Sequence, residues 1–286
     1  MEIRKLSASA GAEWLLGGLG LLRKAPLSLS LLGAIYGVLT LLVGLVAQRD
    51  MTQFLLLELA MVLLGPILLG GMIYAAREVD HDRAAQPLHL VQGLRDGHWP
   101  RLLATLLPQV VAMLLIVLLL AVLIGPHSLA QMAEAMEKAQ GQAKPDPALF
   151  AAIPFGRIFL WMLLSLAIGI LAGFFTFVGV PEIALTTSGA WDAMLRSFRA
   201  CLRNILALIV FMVLTVIAVI AFYFALLLAG LLVRVAAGDM AMQVVVQVVL
   251  MAVMMPVMTG AMYVAWKQML GPADGTAAAP ADRIQA

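Results

Sequence analysis

The chain is 286 residues long, 63% hydrophobic and only 12% charged, with a mean hydropathy of +1.03. A soluble domain runs near roughly 45–50% apolar and about 25% charged residues, so water is not the solvent for most of this chain. The formal net charge of +2 supplies no basic stripe for nucleic acid. The single cysteine, Cys201, excludes an intramolecular disulfide and has no Cys or His neighbours at metal-ligand spacing.

From the N-terminus, Arg4 and Lys5 are followed by Glu13, Trp14, Arg23 and Lys24 before the first long apolar run. This is not the compact layout of a cleaved signal peptide, and the first span is expected to be retained as an anchor. Residues 11–24 place Trp14, Leu15, Leu19 and Leu22 at helical spacing, an amphipathic surface helix weakened by Gly17, Gly18 and Gly20.

A helix rising about 1.5 Å per residue needs about 20 apolar residues to cross about 30 Å of hydrocarbon. Six segments qualify: 27–47, 52–76, 102–124, 156–180, 205–233 and 240–266. They are continuously apolar, without the period-two alternation of a barrel strand. The expected fold is therefore an all-α polytopic bundle of six spans in one membrane domain, residues 1–270, with a disordered tail over 271–286. The fifth segment exceeds a perpendicular crossing by about nine residues, which tilt, a kink or extension past the headgroups must absorb.

The connections carry their own signals. Residues 87–96, with Leu88, Val91 and Leu94, read as a second surface elbow, with Pro87 suited to its first turn and Gly97 to its end. His81, His89 and His98 share this connector with Glu78, Asp80 and Asp82, but their spacing forms no two-per-face helical pair, so a solvated loop is expected and no metal. Ser128 to Gln131 form a capping-box pattern opening a short interfacial helix that carries Met132 and Met136, and Pro145, Pro147 and Pro154 point to an extended return. Residues 189–203 set Trp191, Met194, Leu195, Phe198 and Leu202 on one face and Asp192, Arg196, Arg199 and Arg203 on another, a third elbow.

Counted by side, thirteen Lys and Arg residues fall on the face that holds both termini and five on the other. The positive-inside bias places the N- and C-termini in the cytoplasm. Spans two and six share a pattern at a fixed offset: Pro66, Gly70, Gly71, Met72, Ala75 and Arg77 align with Pro256, Gly260, Ala261, Met262, Ala265 and Lys267. Each is expected to kink at its proline and to pack closely through Gly71/Ala75 and Ala261/Ala265. Elbows 11–24 and 189–203 both open on Gly-Ala and carry Trp14 and Trp191, so the chain reads as parallel elbow-plus-hairpin repeats; shared membrane composition is the competing explanation.

The run Val180-Pro181-Glu182-Ile183-Ala184, leading into Ala190-Trp191-Asp192-Ala193-Met194-Leu195-Arg196-Ser197-Phe198 and then Arg203-Asn204, resembles six-helix bacterial inner-membrane proteins. These are related to the membrane domain attached to some glycerophosphodiester phosphodiesterases. The elbow from Trp14 to Pro26 and the connector from Gln86 to Trp99-Pro100-Arg101 fit stand-alone members, and the resemblance covers roughly residues 7–270. It implies a multi-pass inner-membrane protein of unknown function and transfers no functional residues; no phosphodiesterase catalytic domain accompanies it.

Glu58 lies about seven residues into span two, roughly 10 Å below its edge, and an intramembrane carboxylate is by default a functional-site hypothesis. Gln243 and Gln247 sit at similar depth, one turn apart, and Arg157 and Arg234 lie at the same side, so the five are candidates for a polar cluster binding a proton, cation or headgroup. The alternative is a protonated or snorkelling Glu58, with the glutamines bonding neighbouring helices. Arg196, Arg199 and Arg203 are candidates for contacts to anionic headgroups, or serve only to enforce topology. Ser7, Ser9, Ser28 and Ser30 have no partner histidine, and no cofactor motif is present, so no enzyme is expected. The function expected is a structural or assembly component of the bacterial envelope, with the bilayer and a protein partner or second copy as its contacts. The alternative is a transporter or lipid-handling protein using a groove near Glu58, Gln243 and Gln247.

Overall fold

The structure, a computed structural model, describes residues 3–47, 49–140 and 153–271. Among these residues every regular element is helical: α1 (Ala10–Lys24), α2 (Pro26–Ala47), α3 (Met51–Asp80), a 3-10 turn (Pro87–Val91), α4 (Gln92–Arg95), α5 (Trp99–Ala104), α6 (Leu106–Leu123), α7 (Gly125–Gln140), α8 (Phe155–Thr176), α9 (Gly179–Leu185), α10 (Ala190–Arg203) and α11 (Ile205–Met269). Five stretches are long and apolar enough to cross a membrane: Pro26–Ala47, Met51–Asp80, Trp99–Leu123, Phe155–Leu185 and Ile205–Met269. The expected return through Pro145 and Pro147, and the tail beyond Gly271, lie outside the described residues.

The last stretch contains both of the final two expected segments. Its helix breaks at Gly238, whose φ of 86° and ψ of 176° fall in a region essentially reserved for glycine. The chain reverses there: a Cβ on Gly230 would lie 3.0 Å from Cγ2 of Val246, whereas in an unbroken helix these positions stand about 24 Å apart. Arg234 and Asp239 pair across the reversal at 2.6 Å. The corresponding turn between α2 and α3 is held by Asp50, whose carboxylate accepts from the amides of Thr52 and Gln53 at 2.8 and 3.0 Å, an N-cap that ends one helix pair's turn and starts the next helix.

At the other end of the molecule the short helices interlock with the long ones. Gly11 and Gly18 of α1 let its backbone meet both arms of α11, since Cβ atoms there would lie 2.7 Å from the amide nitrogens of Phe211 and Ala261 respectively. Between them Trp14 is fully buried, donates from Nε1 to Oε1 of Gln268 at 2.8 Å, and packs against Phe177 and Phe211 with ring centroids 5.9 and 6.0 Å away. Of the three glycines that weaken α1 as an isolated helix, Gly17 and Gly18 thus face α11, whereas Gly20 meets open space. In the same manner Gly71 of α3 receives the carbonyls of His89 and Leu90 in the 3-10 turn, and Gly179 at the head of α9 receives α10 at Ser197. The short helices therefore rest on the long ones in turn: α1 on α11, the 87–104 connector on α3, and α10 on α8 and α9.

Several local expectations are adjusted. Gly71 and Ala261, which align at the fixed offset in the sequence, each accept a short element rather than a neighbouring long helix. The interfacial helix begins at Gly125, directly after α6, so Ser128 lies inside its first turn instead of capping it. Trp14 and Trp191 are not equivalent in environment: Trp14 is enclosed, whereas Trp191 is 62% exposed, because α10 lies along the outside of α8 and not between two arms. Gly97 does end the α4 segment, with a φ of 69°.

The core is concentrated at this elbow end, where Trp14, Leu32, Met72, Ile73, Leu102, Ile183, Met194 and Met269 are all under 2% exposed. Toward the Gly238 end the long helices present Leu55, Leu59 and Leu63 of α3 and Leu114 and Leu118 of α6 outward. Such a surface is stable against hydrocarbon and not against water.

Candidate functional site

Near the Gly238 end, α2 and the two arms of α11 enclose a groove of about 420 Å³ whose lining includes Thr40, Gly44, Tyr223, Gln243, Val246 and Gln247. Thr40 Oγ1 donates to the Gly37 carbonyl at 2.9 Å, and the Gln247 amide approaches Thr40 at 3.5 Å. Below the groove the helices close: a Cβ on Gly37 would lie 2.8 Å from Cβ of Met251, and one on Gly33 would lie 2.9 Å from Cδ of Pro256. The groove is uncharged, and its polar groups are hydroxyls and amides.

Of the five residues singled out by the sequence, the structure brings Gln243 and Gln247 together here. Glu58 is exposed on α3 and makes no hydrogen bond or ion pair among the described residues. Arg157 is exposed at the start of α8, and Arg234 is occupied by Asp239 at the reversal. Depth along the helices was legible, but the exposure of α3 nearly all round from Met51 to Leu64, where only Phe54 and Met61 are half-buried, was not.

At the elbow end a second polar centre surrounds Glu182, which is 1% exposed. Its two carboxylate oxygens divide between helices. Oε2 accepts from Nε1 of Trp266 on α11, while Oε1 accepts from the Ser188 hydroxyl at 3.1 Å and pairs with Nη2 of Arg196 at 2.9 Å. The Arg196 guanidinium also donates to Ser188 Oγ at 2.6 Å, and Arg101 donates to the Ser188 carbonyl at 3.0 Å. A buried carboxylate so partnered satisfies the rule that buried charge is paired and hydrogen-bonded. In the sequence Glu182 is only a lone acid inside an apolar run, and its partners lie 6, 14 and 84 residues further on.

A third set of polar contacts closes the end of α3. Glu78 is held by Arg83 through two hydrogen bonds, from Nε and Nη2, which keeps its carboxyl below the ordinary value against the opposing effect of burial. Burial likewise opposes ionisation of Asp80, but hydrogen bonds from Lys267 at 2.9 Å and Tyr263 at 2.8 Å prevail and hold it low. His89 is pushed down by burial, with its ring 5.2 Å from that of Tyr74. Lys24 pairs with Asp82 at 2.8 Å. Among the described residues no three His, Cys, Asp or Glu side chains converge as a metal site.

The three α10 arginines have different surroundings. Arg196 is committed to Glu182, whereas Arg199 and Arg203 are exposed and pair with no carboxylate among the described residues. Arg199 lines an open basin of about 470 Å³ with Ser188, Gly189, Asp192, Leu195 and Arg196. On the opposite side of α10, Cys201 is buried, and burial pushes its thiol up to about 12.

Helices long and apolar enough to cross a bilayer, outward apolar faces and a buried polar junction at one end define an all-helical membrane protein. The chain belongs to the family described as domain of unknown function DUF7847, whose model matches residues 12–268. No curated protein and no solved structure matches the chain.

Proposed function

We propose that the chain is a six-span protein of the bacterial cytoplasmic membrane, with both termini in the cytoplasm, acting as a non-enzymatic structural or assembly component. The observation that carries this reading is the closed elbow end: each elbow rests on a different hairpin through a glycine contact, at Gly18, Gly71 and Gly179, and Glu182 ties α9, α10 and α11 together. Such mutual bracing suits a static platform, and it fits three parallel elbow-and-hairpin units. The reversal at Gly238 supports a sixth span, and the excess of cations at the elbow end supports its cytoplasmic placement.

The test is a distance measurement between spin labels at Leu56 on α3 and Leu114 on α6, both outward-facing, in lipid nanodiscs. A platform gives one distance distribution, unchanged by membrane potential or pH gradient in matched proteoliposomes. Two interconverting populations, as alternating access requires, would overturn it.

A second reading, lipid handling, is favoured by the groove of Thr40, Tyr223, Gln243 and Gln247, since amides facing hydrocarbon call for a polar occupant. On this reading Gln243→Leu combined with Gln247→Leu releases a co-purifying amphiphile visible by native mass spectrometry, and Glu58→Gln does not. Retention by the double variant would sink it.

A further inference from the structure

A second groove runs between α6 and α8 at the elbow end, about 350 Å³, walled by Leu107, Val111 and Leu115 on one side and by Leu171 and Phe175 on the other, with Trp191 at its end. It is almost wholly apolar. From Leu107 to Leu115 it extends eight residues along the helix, about 12 Å, which is close to the depth of one leaflet of a hydrocarbon core about 30 Å thick. Trp191 is covalently followed by Asp192, which lines the arginine basin, so the mouth of the apolar groove and the polar basin adjoin.

Charge identifies what fits. Around the basin stand three guanidinium groups, Arg101, Arg196 and Arg199, and two carboxylates, Asp192 and the buried Glu182 behind Arg196. The local balance is one positive charge. Arg196 is already fixed by Glu182 and Ser188, so it is presented to a ligand with little ordering left to lose. Trp191, exposed and amphipathic, sits between the two compartments in the position an aromatic takes at a headgroup boundary.

We propose that the α6–α8 groove and the α10 basin together hold one singly charged anionic phospholipid, an acyl chain along Leu107–Leu115 and the phosphate at Arg199. The inference rests on the membrane reading above, and narrows the general attraction of α10 arginines for headgroups to a defined site that uses Arg199 and Arg196 but not Arg203.

The test uses the full chain in phosphatidylcholine nanodiscs doped with chain-brominated phosphatidylglycerol or, separately, chain-brominated phosphatidylcholine. Quenching of the emission that Trp191→Phe removes reports occupancy of the groove. The expected result is preferential quenching by the anionic lipid, about five-fold for one uncompensated arginine near the surface, reduced by salt. The preference is lost in Arg199→Gln, which removes an exposed unpaired side chain, and all quenching at this site weakens in Val111→Phe, which narrows the groove without touching charge. Equal quenching by both lipids, or a preference unchanged in Arg199→Gln, would overturn the site alone. A chain that fails to enter the nanodisc would overturn the membrane reading and the site with it.

Discussion

Trp266 donates its indole N–H to Glu182, a residue 84 positions earlier and almost completely buried. The bond joins α9, at the end of the α8 hairpin, to the second arm of α11. A hydrogen bond to a charged group contributes about 1.5–3 kcal/mol, so Trp266→Phe is expected to lower stability by that amount in thermal melts of the detergent-solubilised protein. Glu182→Leu is expected to cost more, toward the lower part of about 3–5 kcal/mol, because it leaves Arg196 beside an apolar wall yet partly open to solvent. The combined Glu182→Leu, Arg196→Met variant is expected to recover part of that loss, since the stranded charge is gone. Additive losses in the double variant would show that the two side chains do not act as a pair.

The seating of α1 depends on Gly18 and not on its neighbour Gly20 two residues away. A Cβ at Gly18 would press into the backbone of Val257 and Ala261, while at Gly20 it would meet open space. Gly18→Ala is therefore expected to destabilise by at least about 1–3 kcal/mol through overpacking, and Gly20→Ala to stabilise by up to about 1 kcal/mol through helix propensity. Midpoints of thermal unfolding measured side by side decide the matter; the same sign for both would refute this account of the α1 docking.

What was legible in the sequence follows the range of the forces involved. Span positions come from hydropathy summed over about 20 residues, and the long apolar helices were found close to where they were expected. The short helical segments at 87–95 and Ala190–Arg203 were marked by Pro87, Gly97 and the helical spacing of Arg196, Arg199 and Arg203. Partners in space were not legible. Gly18 looked like a weakness in α1 because its value lies in a contact with Ala261, more than 240 residues away. Glu58 attracted notice because membrane depth can be counted along a helix, whereas how little of α3 between Met51 and Leu64 is covered depends on neighbours distant in the chain. Glu182, whose carboxylate is satisfied by Trp266 and Arg196 far along the chain as well as by nearby Ser188, carried no local signal beyond its isolation.

The junction at the end of α3 makes stability depend on acid. Glu78 and Asp80 are both held below their ordinary values in the folded chain, so the unfolded chain binds protons more readily than the folded one as the pH drops. Their contribution is fully present above about pH 4.5, the ordinary glutamate value, and is lost as the pH falls through the lowered values. Thermal melts taken from neutral pH down through the carboxylate range are expected to show a falling midpoint. Lys267→Gln should flatten the part due to Asp80, because it removes one of the two hydrogen bonds that keep that carboxyl ionised. A midpoint that stays level through this range would mean that these pairs contribute nothing to folding.

Cys201 offers a reporter for the docking of α10. Its thiol is fully buried, and the same burial raises it to about 12, so at neutral pH it is both inaccessible and protonated, and a maleimide requires exposed thiolate. Modification is expected only when α10 lifts from α8. What holds it there is Ser197, whose hydroxyl donates to the Phe174 carbonyl at 2.6 Å and accepts from the Val178 amide at 3.1 Å, just where α8 gives way to α9. Ser197→Ala leaves that amide without its acceptor, at a cost of about 1–3 kcal/mol. If the opening that exposes Cys201 is governed by this contact, the variant accelerates labelling by roughly ten-fold or more, since about 1.4 kcal/mol is a factor of ten. The protein in its own membrane should label slowly, and the denatured chain at once. Fast labelling of the unaltered protein would place α10 off α8 much of the time and remove the basis for a fixed elbow.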